Sequence, residues 1–95
     1  MINLAPEYIE FIKKIVNENL KHYKLYMFGS RVTGRAKKYS DVDIAILSDE
    51  LTSDIKAKIE FEFENSTLPY EVDVIDLNSI TERFKNLIKD TLIEI

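Results

Sequence analysis

The apolar positions of this chain follow two kinds of pattern, one typical of amphipathic helices and one typical of short buried strands. After Pro6, which suits the first turn of a helix, apolar residues recur three and four positions apart. Three shorter runs are instead rich in β-branched or aromatic residues, as strands are. The pattern predicts, in chain order, a helix over 6–22, strands over 24–28 and 41–47, a helix over 53–65, a strand over 70–77 and a last helix that begins near 79.

The residues between these blocks predict where the elements begin and end. Ser53 is predicted to cap the second helix, and Ser79 with Glu82 forms a capping-box pattern for the last one. Residues 29–40 are predicted to be mainly loop, with one short helical turn around 31–33, and residues 91–95 to be frayed helix or a short strand. The order α-β-β-α-β-α predicts an α/β or α+β fold, a sheet with helices packed on it.

Length and composition limit the class of protein. The 95 residues, of which 45% are hydrophobic and 32% charged, suit one globular domain over 1–95 with a single small site. Cysteine is absent, which excludes disulfides, a thiolate nucleophile and a cysteine-based metal site. Because the chain shows neither a signal peptide nor a run of eighteen apolar residues, a cytoplasmic protein without a membrane partner is expected.

Charge is distributed unevenly along the chain. The net charge of −4 disfavours a nucleic-acid partner, whose binding proteins are usually basic. Residues 21–40 nevertheless hold six cations and no acid, while the rest of the chain holds seven cations against seventeen acids. Both glycines, Gly29 and Gly34, lie in this basic stretch. A site for an anionic ligand is therefore indicated there.

Two aspartates, Asp41 and Asp43, are one residue apart on a predicted strand and so leave the same face of it. Two such carboxylates repel each other unless a cation lies between them, and a pair of hard oxygen ligands suits Mg²⁺. If Val72 and Val74 face the helices, Asp73 lies on the opposite face and a neighbouring strand brings it beside this pair. The alternative is that these acids only face water at a strand end. Asp76, which lies near the end of the third predicted strand, is expected to be such a residue, with a role in a turn.

The Gly29-Ser30 dipeptide closes the first predicted strand and opens the basic loop. A glycine lets the backbone approach a ligand closely, and the serine hydroxyl can bind a phosphate oxygen. Such a dipeptide is more often an ordinary turn. Here a basic loop and a carboxylate pair follow within fifteen residues, so a site for a metal-bound nucleotide is favoured.

The segment from Phe28 to Asp43 reads Phe-Gly-Ser-Arg-Val-Thr-Gly-Arg-Ala-Lys-Lys-Tyr-Ser-Asp-Val-Asp. This segment contains Gly-Ser, then ten intervening residues, then Asp-Val-Asp. That arrangement resembles the signature of the minimal nucleotidyltransferase (MNT) family of the DNA polymerase β superfamily. The later Val72-Asp73-Val74 resembles the strand that carries the third carboxylate of that family. The resemblance covers roughly residues 26–77 and occurs on the expected secondary structure.

This resemblance implies a mixed sheet flanked by helices and the transfer of a nucleoside monophosphate, AMP from ATP, to an acceptor hydroxyl. It implies that Asp41, Asp43 and Asp73 are catalytic and bind two Mg²⁺ ions. Phosphate contacts are implied for Gly29, Ser30, Arg31 and Ser40. The sequence does not decide which cations of the basic loop reach the triphosphate among Arg31, Arg35, Lys37 and Lys38.

Small members of the family are commonly antitoxins of HEPN-domain ribonucleases, and some adenylylate a tyrosine of that toxin. The resemblance therefore implies a HEPN-domain protein as partner, with a homodimer as a further alternative. A different class of function also stays open, in which the chain is a nucleotide-binding module that neutralises its partner sterically, without catalysis. A small-molecule acceptor is disfavoured, because a chain this short leaves no extra domain to hold it. An RNA acceptor is disfavoured because the chain outside the basic loop is strongly acidic.

Overall fold

A computed structural model describes residues 2–95 of the chain. The elements, in chain order, are α1 Pro6–Asn19, β1 Lys24–Phe28, α2 Ser30–Thr33, β2 Val42–Leu47, α3 Ser53–Glu64, β3 Val72–Asp76, α4 Glu82–Ile88 and β4 Ile93–Glu94. Every predicted helix and strand is present. Two short elements are added to the predicted order, α2 at the anticipated helical turn and β4 at the chain end, which is a strand and not frayed helix.

The four strands form one mixed sheet in the order β3-β2-β1-β4. β1 pairs antiparallel with both β2 and β4, while β2 and β3 run parallel on either side of the α3 crossover. β3 therefore lies at one edge of the sheet. The mixed sheet with flanking helices confirms the fold class expected from the sequence.

The two faces of the sheet are covered very differently. On one face, alternate strand residues such as Met27, Ile44 and Val74 pack against α1 and α3 in the larger apolar cluster. The other face carries a smaller cluster built around Phe28, Ala45, Leu77 and Ile88. α4 contributes only Ile88 to the buried residues of this cluster, and Leu87 of the same helix remains 71% exposed. Polar groups on this second face can therefore be reached by ligands.

The first helix is shorter than predicted, because the backbone becomes extended at Leu20. That residue is buried in the main core. The amides of Lys21 and His22 donate instead to the Glu50 carboxylate, at 2.8 and 3.2 Å. These hydrogen bonds, led by the one from the Lys21 amide, lower the pKa of Glu50.

Both predicted serine caps are wrong, and a nearby threonine caps each helix. Thr52 Oγ1 accepts from the Ile55 amide at 3.2 Å, and Thr81 Oγ1 accepts from the Phe84 amide at 3.1 Å. Ser79 donates its hydroxyl to Asp76 Oδ2, which confirms the expected turn role of Asp76 and leaves the capping box unformed. Within residues 2–95, no helix has the length and apolar content needed to cross a bilayer.

Candidate active site

Asp43 and Asp73 lie directly opposite each other on the parallel strands β2 and β3. Their neighbours Val42, Ile44 and Val74 are buried against the helices, so side-chain alternation turns both aspartates to the more open face. This is the arrangement that the sequence pattern predicts for the two acids. Two carboxylates are thus fixed at one place by strand register.

The carboxyl group of Asp43 holds its proton unusually tightly. Its pKa is raised from 3.8 to about 6, most of all by partial burial and then by the charge of Asp73, a hydrogen bond with Asp73 and the charge of Asp41. A shift of this size marks a carboxylate placed where its charge is unfavourable unless a cation is present. Asp41 itself is exposed and lies just before β2.

The side chains of Asp41, Asp43 and Asp73 are suited to a divalent cation, although the three do not form one close group of ligands. Among residues 2–95, no three His, Cys, Asp or Glu side chains are grouped closely enough to hold a metal ion. The paired carboxylates of Asp43 and Asp73, with the charge of Asp41 nearby, are nonetheless hard oxygen donors of the kind that Mg²⁺ prefers. The donor set fits Mg²⁺, and the Asp41 carboxylate must approach the other two to complete a site.

Gly29 leaves space for the Asp43 carboxylate. It follows Phe28, which pairs with Asp43 across β1 and β2, and a Cβ on Gly29 would overlap Asp43 Oδ2. Its backbone angles, φ 80° and ψ −154°, lie in a region that is open essentially only to glycine. The signature glycine is therefore required both by its own backbone and by the aspartate beside it.

The residues after Gly29 form a tight turn around it. The Gly29 carbonyl accepts from the amides of Val32 and Thr33, each at 3.0 Å, and the Ser30 carbonyl accepts from Arg35 at 3.2 Å. Gly34 ends this turn in the left-handed conformation, with φ 83°. The turn therefore begins at Gly29, beside the Asp43 carboxylate.

Arg31 is buried, with only 4% of its surface exposed. Its guanidinium donates to the carbonyls of Asn3, Lys38 and Ser40 at 3.0, 3.4 and 2.8 Å, and lies 4.5 Å from the centre of the Tyr70 ring. Phosphate binding by Arg31 would require these bonds to break. In this structure Arg31 instead ties the basic loop to the start of the chain and to the segment that leads into β3.

The other loop residues named by the sequence divide into two groups. Ser40 faces the loop itself, since its hydroxyl accepts from the Lys37 amide at 2.7 Å and its carbonyl accepts from Arg31. Arg35, Lys37 and Lys38 have exposed side chains. The exposed cations are therefore the ones free to reach an anionic ligand, a distinction that a run of basic residues in the sequence does not reveal.

Replacing Arg31 by methionine is expected to destabilise the fold by about 3 kcal/mol, because three carbonyls lose a charged donor while the side-chain volume is kept. Arg31→Lys should lose less, since it keeps the charge with fewer donors. The exposed Arg35→Met is the matched control and should change the free energy of unfolding by under about 0.5 kcal/mol. Urea unfolding measures all three. Equal stability of the two methionine variants, with nucleotide affinity lost only in Arg31→Met, would instead support a phosphate contact.

Comparison with known proteins agrees with this geometry. The family model "Polymerase beta, Nucleotidyltransferase" matches residues 10–95. The chain is 35% identical over 95 residues to the probable protein adenylyltransferase MntA of Haemophilus influenzae, a match that covers 99% of this chain and 83% of that protein.

Solved structures show the same fold. A toxin–antitoxin crystal structure with AMP-PNP contains a chain that is 25% identical, with a TM-score of 0.76 over 90% of this chain and 69% of that one. A complex of the tri-AMPylated Shewanella oneidensis HEPN toxin with its MNT antitoxin matches at 24% identity and a TM-score of 0.67, covering 90% of this chain and 66% of that one. Both the strand-borne aspartates and the family model thus lead to one assignment: the chain belongs to the polymerase β nucleotidyltransferase family.

Proposed function

We propose that this protein transfers AMP from ATP to a hydroxyl group of a HEPN-domain partner protein and thereby acts as its antitoxin. The observation that carries the proposal is the pair Asp43 and Asp73, held in register beside Gly29 on the open face of the sheet. The similarity to MntA, a probable protein adenylyltransferase, supports the reaction, and the solved toxin–antitoxin complexes support the partner. The reaction is proposed to take place in the cytoplasm, on a single catalytic domain.

In the proposed reaction the acceptor oxygen bonds to the α-phosphorus of ATP, and the bond from that phosphorus to pyrophosphate breaks. Pyrophosphate leaves with the electron pair, and Asp73 takes the hydroxyl proton. Asp41, Asp43 and Asp73 would hold two Mg²⁺ ions, which when bound stabilise negative charge on the attacking and leaving oxygens. Gly29 and Ser30 are proposed to position the β- and γ-phosphates.

The exposed cations of the basic loop have a separate proposed role. Arg35, Lys37 and Lys38 have exposed side chains in the loop that follows Gly29, where opposite charge favours binding of triphosphate or pyrophosphate. Arg31 is assigned to hold this loop in place, because its Nη1 and Nη2 groups already donate to backbone carbonyls. Ser40 is assigned to the same structural group through its bond with Lys37.

The test is co-expression with the HEPN-domain partner, followed by incubation with Mg²⁺ and ATP labelled at the α-phosphate. The wild-type chain should label the partner and protect cells from it. The double variant Asp41→Ala/Asp43→Ala should lose more than about 1,000-fold in labelling, since charge stabilisation in the transition state is removed. Asp90→Ala, an exposed acid near the end of α4, is the matched control and should behave as wild type.

The same experiment separates catalysis from steric neutralisation. If the double variant still binds and protects although it labels nothing, the chain neutralises its partner as a binding module. If protection and labelling are lost together while the complex still forms, neutralisation requires catalysis. Equal labelling by the wild type and the double variant would contradict the proposed site.

A further inference from the structure

The edge strand β3 presents unpaired backbone groups to one side. The Val42 amide donates to the Glu71 carbonyl and the Leu77 amide to the Ile46 carbonyl, so the odd-numbered residues of this segment bond to β2. By the alternation of a parallel ladder, the amides of Val72, Val74 and Asp76 point away from the sheet. Since β3 ends the sheet, no strand within residues 2–95 pairs with them.

A groove runs along this open edge, between β3 and α3. One cavity of about 310 Å³ is lined by Glu60, Phe63, Glu64, Glu71, Val72 and Asp73. A second, of about 410 Å³, continues along the strand past Val74 and Asp76. The space beside β3 is therefore open over the whole strand and reaches Asp73 of the catalytic pair.

The groove is strongly acidic. Its lining includes Glu60, Glu64, Glu71, Asp73 and Asp76, against the single cation Lys56. That lysine already pairs with Glu60, with Nζ and Oε2 3.2 Å apart. A second copy of this chain paired through β3 would bring the same acids together, whereas an extended segment rich in lysine and arginine complements them.

The register of an added strand determines which of its side chains lies beside the catalytic carboxylates. When a strand adds antiparallel to β3, the residue opposite Asp73 has its side chain on the same face, with Cβ atoms about 5 Å apart. Asp43 lies on that face too, in register with Asp73. A hydroxyl residue at this one position of the added strand is therefore presented to both aspartates, while its neighbours face the other way.

We propose that the acceptor protein binds as an extended basic segment that adds antiparallel to β3 as a fifth strand, with the hydroxyl residue to be modified opposite Asp73. This inference rests on the proposed AMP transfer and names how its acceptor is recognised. Backbone hydrogen bonds to Val72 and Val74 hold the segment, and the acids of the groove select its flanking charges. Affinity from this five-residue strand alone is modest, so the rest of the acceptor adds contacts elsewhere.

The probe is a synthetic peptide, acetyl-Arg-Lys-Val-Tyr-Val-Lys-Arg-amide, used without ATP or Mg²⁺. Binding should shift the ¹⁵N–¹H signals of Val72, Val74 and Asp76 and slow exchange of their amide hydrogens. N-methylation of the two valines, whose N–H groups face β3 in the antiparallel register, should abolish both effects. N-methylation of the tyrosine, whose N–H faces away, is the matched control. Equal binding of both methylated peptides would overturn strand addition.

Charge reversal tests the same surface during AMP transfer to the HEPN-domain partner. Glu64→Lys/Glu71→Lys, outside the catalytic set, should raise KM for the acceptor about 10-fold and change kcat less than about 2-fold, as loss of favourable charge contacts does. Glu18→Lys/Glu94→Lys, on α1 and at the opposite sheet edge, is the matched control and should leave KM unchanged. Unchanged KM in both variants, with partner labelling intact, overturns this inference but not the proposed function. Absence of labelling by the wild type overturns the proposed function itself.

Discussion

Replacing Gly29 by alanine is expected to destabilise the protein by about 2 kcal/mol and to slow AMP transfer at least about 100-fold. Its backbone conformation, with φ 80° and ψ −154°, is one that alanine adopts only with strain. The added Cβ also overlaps Asp43 Oδ2 and forces that carboxylate away from Asp73. A displacement of about 1 Å at a catalytic group can by itself cost about two orders of magnitude in rate.

Gly34 provides a matched control at the other end of the same turn. Its φ of 83° is also positive, but no atom lies within 4 Å of a Cβ built there. Gly34→Ala should therefore cost about 1 kcal/mol of backbone strain and leave the transfer rate within about 3-fold of wild type. Urea unfolding and labelling rates measure both variants. If the two variants lose transfer equally, the loss stems from strain in the turn and not from displacement of Asp43.

The fold could be predicted to a large extent because its elements depend on local periodicity. The β1 range, Lys24–Phe28, matches the prediction at both ends, and β2 and β3 each lie within the predicted runs. The errors lie at helix ends: the first helix stops earlier than predicted, and both predicted serine caps are replaced by threonines. Thr52 and Ser53 can both cap a helix, and only the backbone conformation of Thr52, extended with ψ 167°, decides between them.

The pairing of Asp43 with Asp73 was predictable, whereas the separate position of Asp41 before β2 and the burial of Arg31 were not. The Asp-x-Asp spacing and the strand pattern of β3 are local, and register then brings Asp43 and Asp73 together. The role of Arg31 depends on Asn3, Ser40 and Tyr70, which approach it only in the folded chain. A basic loop in the sequence cannot show which of its cations is turned inward to carbonyl groups.

The sparse covering of the second face of the sheet is consistent with the proposed cation site. Its apolar cluster is small, and the exposed side of α4 leaves Leu87 in solvent. Full coverage by helices would enlarge the core but would bury Asp43 and Asp73 further, where their charges cost more. The open face is thus consistent with access for nucleotide and acceptor at the expense of stability.

The second large effect is expected from Asp43→Asn, which should abolish AMP transfer and, without Mg²⁺, make the fold more stable. At pH 8 the gain should be about 1 kcal/mol, a value reduced for screening because the carboxyl is partly exposed. It should raise Tm by about 5 °C. The reason is that the amide removes a charge that is partly buried and that faces the Asp73 carboxylate across β2 and β3.

The stability gained by Asp43→Asn depends on pH, and the raised pKa of Asp43 fixes the direction of that dependence. The pKa of Asp43 rises from 3.8 to about 6 on folding, so the folded protein binds the proton more tightly than the unfolded chain does. Above about pH 6 Asp43 is ionised in both the folded and the unfolded state, and the folded state carries the full cost of that charge. Between about pH 6 and 4 the folded state takes up the proton, and this cost is lost. The advantage of Asp43→Asn should therefore be largest at pH 8 and vanish near pH 4.

Mg²⁺ should stabilise the wild type and not the variant, since a ligand that binds only the native state raises its Tm. Thermal unfolding at both pH values, with and without Mg²⁺, measures these effects. An Asp43→Asn variant that is less stable than wild type at pH 8 without Mg²⁺ would contradict a net cost of the Asp43 charge in the folded protein.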